Sequence, residues 1–271
     1  MKTELTREQV QAFRTDGFLV VRDFLSPAEL AELGAAVDEV VATMGSRKIT
    51  SGPDWRDGDG YYDRVFTQRL NLWMMSETVK RYILAPELGE MLCTLANVGG
   101  IRVWHDQALI KEPFANPTAW HLDNPYWSFT SKSSLSIWIA LDDATYENCC
   151  LYFIPKSHEL ARSENVSIGE NMNELFRVYP EMAEHDAVAV PMKAGSASFH
   201  NGLVAHGAGP NMTGKRRRAM TCAYMPEGAT FNGQKNILPD DYFESLKPGD
   251  VLESDAQNPL VYRSQRLFSP R

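Results

Sequence analysis

The chain contains 271 residues, of which 44% are hydrophobic and 23% are charged, proportions that fit a globular protein and exclude a disordered or fibrous one. Its formal net charge of −8 argues against a nucleic-acid partner, because a protein that neutralises phosphates needs a basic face. The N-terminal residues are unlike a signal peptide, and no run approaches the roughly 18 apolar residues of a membrane span. A cytoplasmic protein without a membrane partner is therefore expected.

The first hundred residues are predicted to form mostly helices that support the rest of the fold. The expected segments are a short helix at 6–15, a β-rich run at 17–21, a long Gly-, Asp- and Ser-rich loop at 48–62 and a helix at 79–97. The clearest helix begins at Ser26, because Ser26 suits the N-cap, Pro27 suits the first turn and Glu29 completes a capping box. Its apolar stripe consists of Leu30, Leu33, Val37, Val40, Val41 and Met44.

Beyond Gly99-Gly100 the pattern changes to short β-rich segments separated by turn residues. These segments are 101–110, 118–123, 134–141, 150–154, 187–190, 196–206 and 216–225. Such spacing predicts a β-barrel or sandwich with its core over 101–226. The polar stretches at 155–185 and 227–271 are predicted to be lids or loops, and residues 1–271 are expected to form a single domain.

The four cysteines are predicted to be buried thiols in a reducing compartment. Cys93, Cys149, Cys150 and Cys222 include no CxxC pair, so neither structural zinc nor a disulfide framework is expected.

A histidine and a carboxylate two residues apart form the first candidate metal-binding pair. His121 and Asp123 lie in a predicted strand, where residues i and i+2 project from the same face. A second histidine, His206, follows 83 residues later, and two imidazoles with one carboxylate make up the facial triad that binds Fe(II) and leaves positions open. An HxD triplet also arises by chance, and a lone histidine is often a hydrogen-bonded core residue.

The position of His206 is predicted from the turn before it. Asn201-Gly202 favours a tight primed turn between antiparallel strands, which would place His206 on the returning strand. The alternative is that His206 merely caps a Gly-rich turn before Pro210.

Two strands are predicted to line a cavity with one face each. On the last strand Arg217, Ala219, Thr221 and Ala223 share a face, so that small residues surround one arginine. A desolvated guanidinium there requires an anion, and its planar group can donate two parallel hydrogen bonds to a carboxylate. In 135–141, Ser136, Trp138 and Ala140 alternate with aliphatic residues, and Trp138 would wall the same pocket. The alternative for Arg217 is that it belongs to a solvated basic turn, and the alternative for Trp138 is that it is an ordinary core residue.

The chain resembles the phytanoyl-CoA dioxygenase family of Fe(II)- and 2-oxoglutarate-dependent oxygenases. The resemblance runs nearly end to end and includes Phe13 to Val21, Trp120-His121-Leu122-Asp123, Trp138 to Thr145 with Glu147-Asn148, Phe153 to His158, His206 to Asn211, and Arg217 eleven positions after the distal histidine. The order and spacing of these pieces are specific, although each one alone is modest.

This resemblance implies a mainly β fold with flanking helices, a double-stranded β-helix or cupin-like jelly roll. It assigns His121, Asp123 and His206 to iron, and Arg217 to the distal carboxylate of 2-oxoglutarate, and it places Gln107 at the cosubstrate. Thr221 and Trp138 are expected in the same cosubstrate pocket. No catalytic residue beyond the metal centre is implied. Related halogenases have Ala or Gly in place of the aspartate, so Asp123 disfavours halogenation.

The function implied is hydroxylation of an aliphatic C–H bond of a small-molecule metabolite with Fe(II), 2-oxoglutarate and O2, and with release of succinate and CO2. The residues expected near substrate are Asn124, Tyr126, Trp127, His105 and His200, with the loops 48–66 and 156–186. The negative net charge favours a small neutral, cationic or zwitterionic substrate over a CoA thioester. The alternative is a cupin-like metal protein without oxygenase activity, or an isomerase or epimerase on the same barrel. Either a monomer or a homodimer is compatible with the sequence.

Overall fold

Two antiparallel β-sheets form the centre of the computed structural model, which describes residues 1–43, 65–164, 166 and 168–264. The larger sheet contains β1 (Phe18–Val21), β2 (Thr67–Leu70), β3 (Gly100–Lys111), β5 (Leu135–Ala140), β8 (Ala197–Asn201), β10 (Arg217–Pro226) and β11 (Leu260–Arg263), in the order β1-β8-β5-β10-β3-β11, with β2 also paired to β3. The smaller sheet contains β4 (Thr118–His121), β6 (Leu151–Phe153), β7 (Val188–Val190) and β9 (His206–Ala208), in the order β4-β9-β6-β7.

The described residues also form seven α-helices, four of which precede β3 in the chain. They are α1 (Arg7–Asp16), α2 (Pro27–Ala42), α3 (Glu77–Ile83), α4 (Pro86–Ala96), α5 (Ser157–Leu160), α6 (Glu174–Val178) and α7 (Asp240–Ser245). In the part of the chain that the structure describes, none of them has the length and apolar character needed to cross a membrane.

Local sequence signals explain where the first helices begin and end. The predicted capping box is confirmed: the Ser26 side chain accepts a hydrogen bond from the Glu29 amide, and the Glu29 carboxylate accepts one from the Ser26 amide. Gly17 ends α1 in the left-handed region with φ 83°, a conformation that glycine adopts readily at a helix C-terminus. The single helix predicted over 79–97 is wrong, because Pro86 interrupts it and begins α4 as a separate helix.

The outer face of the larger sheet packs against α1 to α4. Alternate residues of β5 and β10, Ile137 and Ile139 together with Met220, Cys222 and Tyr224, join the buried residues of these helices in one apolar cluster. The opposite face of the same strands turns towards the smaller sheet. The alternation predicted for β5 and β10 is therefore confirmed, and it leaves the space between the two sheets for a site.

Three predicted segments differ from the structure. The tight primed turn at Asn201-Gly202 is wrong: neither residue has positive φ, and the chain crosses there from β8 in one sheet to β9 in the other. The first hundred residues include β2, which was not predicted. The C-terminal region expected to be a loop contains α7 and β11. The predicted loop at 48–62 and Met44 lie outside the described residues.

The four cysteines are free and buried, as predicted. Cys149 has φ 78°, and both Cys149 and Cys150 precede β6.

Asp106 of β3 is a buried carboxyl group on the helix-packed face of the larger sheet. It lies opposite Cys222 in the β3–β10 register, and the Trp73 amide donates to its Oδ1 at 3.4 Å. Its Oδ2 has no hydrogen-bond partner among the described residues. Burial raises the pKa of Asp106 to about 7, because an ionised carboxylate is poorly solvated there.

We expect this carboxyl group to make stability fall as pH rises. Between about pH 4 and pH 7 the folded state keeps the Asp106 proton while the unfolded chain has lost it, so the free energy of unfolding decreases with pH by up to about 4 kcal/mol. Asp106→Asn mimics the protonated carboxyl and should remove most of this decrease. Urea unfolding of both proteins from pH 4.5 to pH 7.5 tests it; parallel pH curves would contradict the assignment.

Candidate metal centre

A β-bulge brings the two histidines of the candidate metal centre face to face. In the β4–β9 pair Thr118 lies opposite Ala208, and a regular register would then place Trp120 opposite His206. The register instead shifts between Thr118 and His121, so that His121 lies opposite His206. One extra residue on β4 therefore turns the imidazole, and not the indole, towards the partner histidine.

Backbone carbonyl groups set the orientation of both imidazoles. The Nδ1 atom of His121 lies 2.8 Å from the carbonyl oxygen of Ala119, and Nδ1 of His206 lies 3.1 Å from that of Val204. A carbonyl oxygen only accepts, so Nδ1 carries a proton in each ring, and a neutral ring then keeps its lone pair on Nε2. The two Nε2 atoms are each 3.6 Å from Oδ1 of Asp123.

Asp123 completes the set from a position just beyond the strand. Strand β4 ends at His121, and the Asp123 backbone is helical, with φ −76° and ψ −50°. The prediction that one strand presents both residues on the same face is therefore wrong, although the carboxylate does meet the imidazoles. Its Oδ2 accepts hydrogen bonds from Oγ of Ser136 at 3.0 Å and from Nε2 of His200 at 3.3 Å.

The protonation states of these groups suit a divalent cation. Burial opposes ionisation of Asp123, but the neighbouring imidazoles of His206, His121 and His200 hold its pKa well below the usual range. Burial, together with the neighbouring His121, lowers the pKa of His206 to about 3. At neutral pH the site thus presents a carboxylate and an unprotonated imidazole, the forms that bind metal.

The spacing of the donors fits a single ion. One donor atom from each of His121, Asp123 and His206 lies within 4.8 Å of the other two. Among the described residues, these three side chains form the one group whose spacing suits a metal ion. First-row divalent ions bond nitrogen and oxygen donors at about 2.1 Å, so donors 3.6 Å apart can contact the same ion. Two histidines and one carboxylate are the set typical of non-haem Fe(II) sites.

A cavity of about 650 Å³ opens beside this donor set, between the two sheets. The sequence-predicted residues that line it are His105, Gln107, His121, Asp123, Tyr126, Trp127, Trp138, His200, His206, Arg217 and Thr221. Asn124 does not line it. The Asn124 side chain instead accepts from the Ser131 amide and donates to the Phe129 carbonyl, which holds the loop after the metal centre.

Arg217 is a buried cation in the wall of this cavity. The residue is 1% exposed, its guanidinium lies 5.0 Å from the Trp138 ring, and it donates to the carbonyl oxygens of Leu109 and Cys149, at 3.5 and 3.4 Å. Its Nε has no partner, and no carboxylate forms an ion pair with it in the described parts of the chain. Burial lowers the pKa of Arg217, and a guanidinium so placed calls for an anionic ligand.

The residue opposite Arg217 is a second buried cationic group. Lys111 on β3 is its register partner, is fully buried, and donates to the carbonyl of Asn116 while lying 4.6 Å from the Phe66 ring. Burial lowers the pKa of Lys111 to about 7. Lys111 therefore offers Arg217 no compensating negative charge, which reinforces the need for an anion in the cavity.

Several lining residues were not found from the sequence. Gln68 on β2 hydrogen-bonds the side chain of Gln107, but the polar segment Thr67–Leu70 gave no strand signal. Ser136 was placed on the cavity face without a role. The residues Gln234, Lys235, Asn236 and Ile237 come from the C-terminal region, which was predicted to be a lid or loop, but no periodicity in it singled out these four residues.

The histidine and tryptophan pair at His105 and Trp127 forms another part of the wall. Their rings lie 6.5 Å apart in an edge-to-face arrangement, and Trp127 stacks on Phe129 at 5.4 Å. Burial lowers the pKa of His105 to about 4, so its imidazole is neutral at pH 7. Tyr126 donates to the carbonyl of Val166, which ties this wall to the segment after β6.

Comparison with known proteins gives a consistent family match. Residues 13–219 match the family described as Phytanoyl-CoA dioxygenase (PhyH). The methylphosphonate hydroxylase of Gimesia maris is 28% identical over 237 residues, which cover 83% of this chain and 82% of that protein.

Solved structures match over almost the whole chain. The non-haem alpha-ketoglutarate-dependent carbocyclase SnoK from nogalamycin biosynthesis has a TM-score of 0.80 and 28% identity, covering 95% of this chain and 96% of that one. The epimerase SnoN, solved with Fe3+, alpha-ketoglutarate and nogalamycin RO, has a TM-score of 0.74 and 25% identity, covering 94% and 97%. Alpha-ketoglutarate is another name for 2-oxoglutarate. These likenesses confirm the predicted jelly-roll fold class.

We expect the donor set to bind a divalent ion in vitro. His206→Ala removes one nitrogen donor and should weaken Mn(II) binding by about 100-fold or more, since even the loss of a supporting contact costs about 10- to 100-fold. Isothermal titration calorimetry measures this change. The matched control is His185→Ala, an exposed histidine outside the cavity, which should bind as wild type does. Equal affinities for both variants would refute the ligand assignment.

Proposed function

The chain belongs to the phytanoyl-CoA dioxygenase family, and from this premise we propose that it is an Fe(II)- and 2-oxoglutarate-dependent dioxygenase that hydroxylates an aliphatic C–H bond of a small-molecule metabolite. The observation that carries the proposal is the presence of two complementary features in one cavity. The metal donors His121, Asp123 and His206 lie in the same cavity as a buried arginine that has no carboxylate partner among the described residues. A keto diacid satisfies both features, because one end chelates the metal and the other is a carboxylate.

His121, Asp123 and His206 would hold the iron, and the orientation of both imidazoles is set before it binds. The carbonyls of Ala119 and Val204 keep both Nε2 lone pairs directed at the site, so binding requires little rearrangement of the rings. A preorganised donor set of this kind binds an ion without first breaking competing hydrogen bonds.

Arg217 would hold the distal carboxylate of 2-oxoglutarate. Its carbonyl contacts of 3.4 and 3.5 Å are long for charged hydrogen bonds, so donor capacity remains for a ligand. The Trp138 ring beside the guanidinium fixes its plane. Gln107 and Thr221 also line the cavity; the Thr221 hydroxyl donates to the Ile137 carbonyl at 2.7 Å and can still accept.

When bound together, Fe(II) and 2-oxoglutarate supply oxygen activation, in which one atom of O2 enters succinate as CO2 leaves and the other is inserted into a substrate C–H bond. The task of the chain is orientation and exclusion of water rather than acid–base chemistry. The aromatic wall of Tyr126 and Trp127 and the residues Gln234 to Ile237 of the C-terminal region would enclose the substrate.

The cavity favours a neutral substrate with an apolar body. Among the described lining residues Asp123 is the only acid, and it is a metal ligand, whereas Arg217 and Lys235 are cationic. A cationic substrate would thus find no free carboxylate in this part of the site. This charge distribution weighs against the cationic substrates that the net charge alone allowed.

A second candidate outcome is epimerisation or ring closure after the same C–H activation. It is favoured by the likeness to the carbocyclase SnoK and the epimerase SnoN, which match this chain over more than nine-tenths of its length. Incubation under 18O2 separates the outcomes once a substrate is found. Hydroxylation places one 18O atom in the product, whereas epimerisation or C–C bond formation leaves the product without it.

We expect Arg217→Met to weaken 2-oxoglutarate binding by about 100-fold, because a charge-assisted pair of hydrogen bonds contributes about 2 to 3 kcal/mol. Methionine retains much of the side-chain volume and removes the charge. Equilibrium dialysis of labelled 2-oxoglutarate against the Mn(II)-loaded protein measures the change, and succinate release with Fe(II) and ascorbate should fall in parallel.

The matched control is Arg216→Met, which removes an adjacent, half-exposed arginine paired with Asp38 at 3.5 Å. This variant should bind 2-oxoglutarate as wild type does. If wild-type protein neither binds 2-oxoglutarate nor forms succinate, the chain is a metal protein without oxygenase activity.

A further inference from the structure

The two oxygens of the Asp123 carboxylate have different surroundings. Oδ1 faces the Nε2 atoms of His121 and His206, at 3.6 Å from each. Oδ2 instead accepts from Ser136 Oγ at 3.0 Å and His200 Nε2 at 3.3 Å. One oxygen is therefore directed at the metal position and the other is held by the protein.

Both groups that hold Oδ2 must be donors. An ionised carboxylate only accepts, so Ser136 gives its hydroxyl proton and His200 bears its proton on Nε2. The Nδ1 atom of His200 is buried and has no hydrogen-bond partner among the described residues. Among the described residues, the Asp123 carboxylate is therefore the one hydrogen-bond partner of the His200 side chain.

The two donors are placed by the larger sheet, whereas the ligands belong to the smaller sheet and the loop after it. Ser136 on β5 and His200 on β8 are register partners and are 2% and 3% exposed. The His200 ring is packed 5.4 Å from the Phe153 ring and 4.7 Å from that of His206. Their positions are therefore fixed by strand pairing and packing, independently of the β4 backbone.

Asp123 needs such support because its own backbone does not constrain the carboxylate. The residue lies outside β4 and its side chain makes no cap hydrogen bond to the following turn. A free carboxylate can turn about its last bond and offer both oxygens to a metal. Two-oxygen binding occupies one more metal position than one-oxygen binding.

We propose that Ser136 and His200 are positioning residues that hold Oδ2 of Asp123 away from the metal, so that the carboxylate binds through Oδ1 alone and one further metal position stays open. This positioning role depends on the proposed function only for the use to which the open metal position is put. A 2-oxoglutarate oxygenase needs two positions for the keto acid and a third for O2. A carboxylate bound through both oxygens would take one of them.

The test counts the water molecules on Mn(II) bound to the protein, from the broadening of its electron paramagnetic resonance lines in 17O-enriched water. Three protein donors leave three positions for water on a six-coordinate ion. We expect the wild type to show three waters, and the double variant Ser136→Ala with His200→Leu to show one fewer while still binding Mn(II). Each single variant should show a partial decrease.

Conservative variants distinguish positioning from a general structural role. Ser136→Thr keeps the hydroxyl, and His200→Gln keeps an N–H at a similar reach, so both should retain three waters. Ser198→Ala is the matched control: Ser198 is fully buried on β8 on the same face as His200, and its hydroxyl has no partner among the described residues. It should leave the water count unchanged.

Each result decides the proposal. Three waters in the folded double variant would overturn it, as would loss of Mn(II) binding in both single variants, which would show a role in affinity rather than in binding mode. The proposed function is judged separately by adding 2-oxoglutarate, which should displace two of the wild-type waters. If it displaces none while the variants behave as expected, the positioning role stands and the oxygenase assignment fails.

Discussion

The antiparallel pairing of β4 with β9 across a bulge is the constraint on which the site depends. It brings His121 opposite His206, with ring centroids 4.1 Å apart, and the backbone carbonyls then determine which nitrogen of each ring is free. Two imidazoles this close are compatible because burial favours the neutral form of His206, as its low pKa shows. The cost of placing polar rings in the interior is offset when an ion accepts both lone pairs.

Two separated charges determine the electrostatics of the cavity, because the third, on Lys235, is paired with Asp240. The Asp123 carboxylate lies beside the histidines, and the Arg217 guanidinium lies in the wall without an acidic partner among the described residues. Each charge is stabilised only in part by the hydrogen bonds around it. A divalent cation and a dicarboxylate supply the missing counterparts together, and Asp123 of the smaller-sheet region is linked to Ser136 of the larger sheet. The two sheets are thus joined at the place where the ligands would bind.

The sequence predicts the parts of this structure that follow regular periodicity. The alternation in β5 and β10 placed Trp138, Arg217 and Thr221 on one face, and their observed positions agree with it. The period-two rule could not reveal the bulge in β4, so it assigned Asp123 to a strand that ends before it. Gln68 and residues 234–237 were missed because polar segments reach the cavity through tertiary packing, which leaves no local pattern. Asn124 was expected at the substrate, but its amide stabilises the adjacent loop.

The most direct test of this account is a crystal structure of the protein prepared without oxygen in the presence of Fe(II) and 2-oxoglutarate. The account predicts iron bonded to Nε2 of His121, Nε2 of His206 and Oδ1 of Asp123, with the keto acid chelating the same ion and its far carboxylate on the Arg217 guanidinium. Iron bound elsewhere, or a keto acid whose far carboxylate lies away from Arg217, would contradict it.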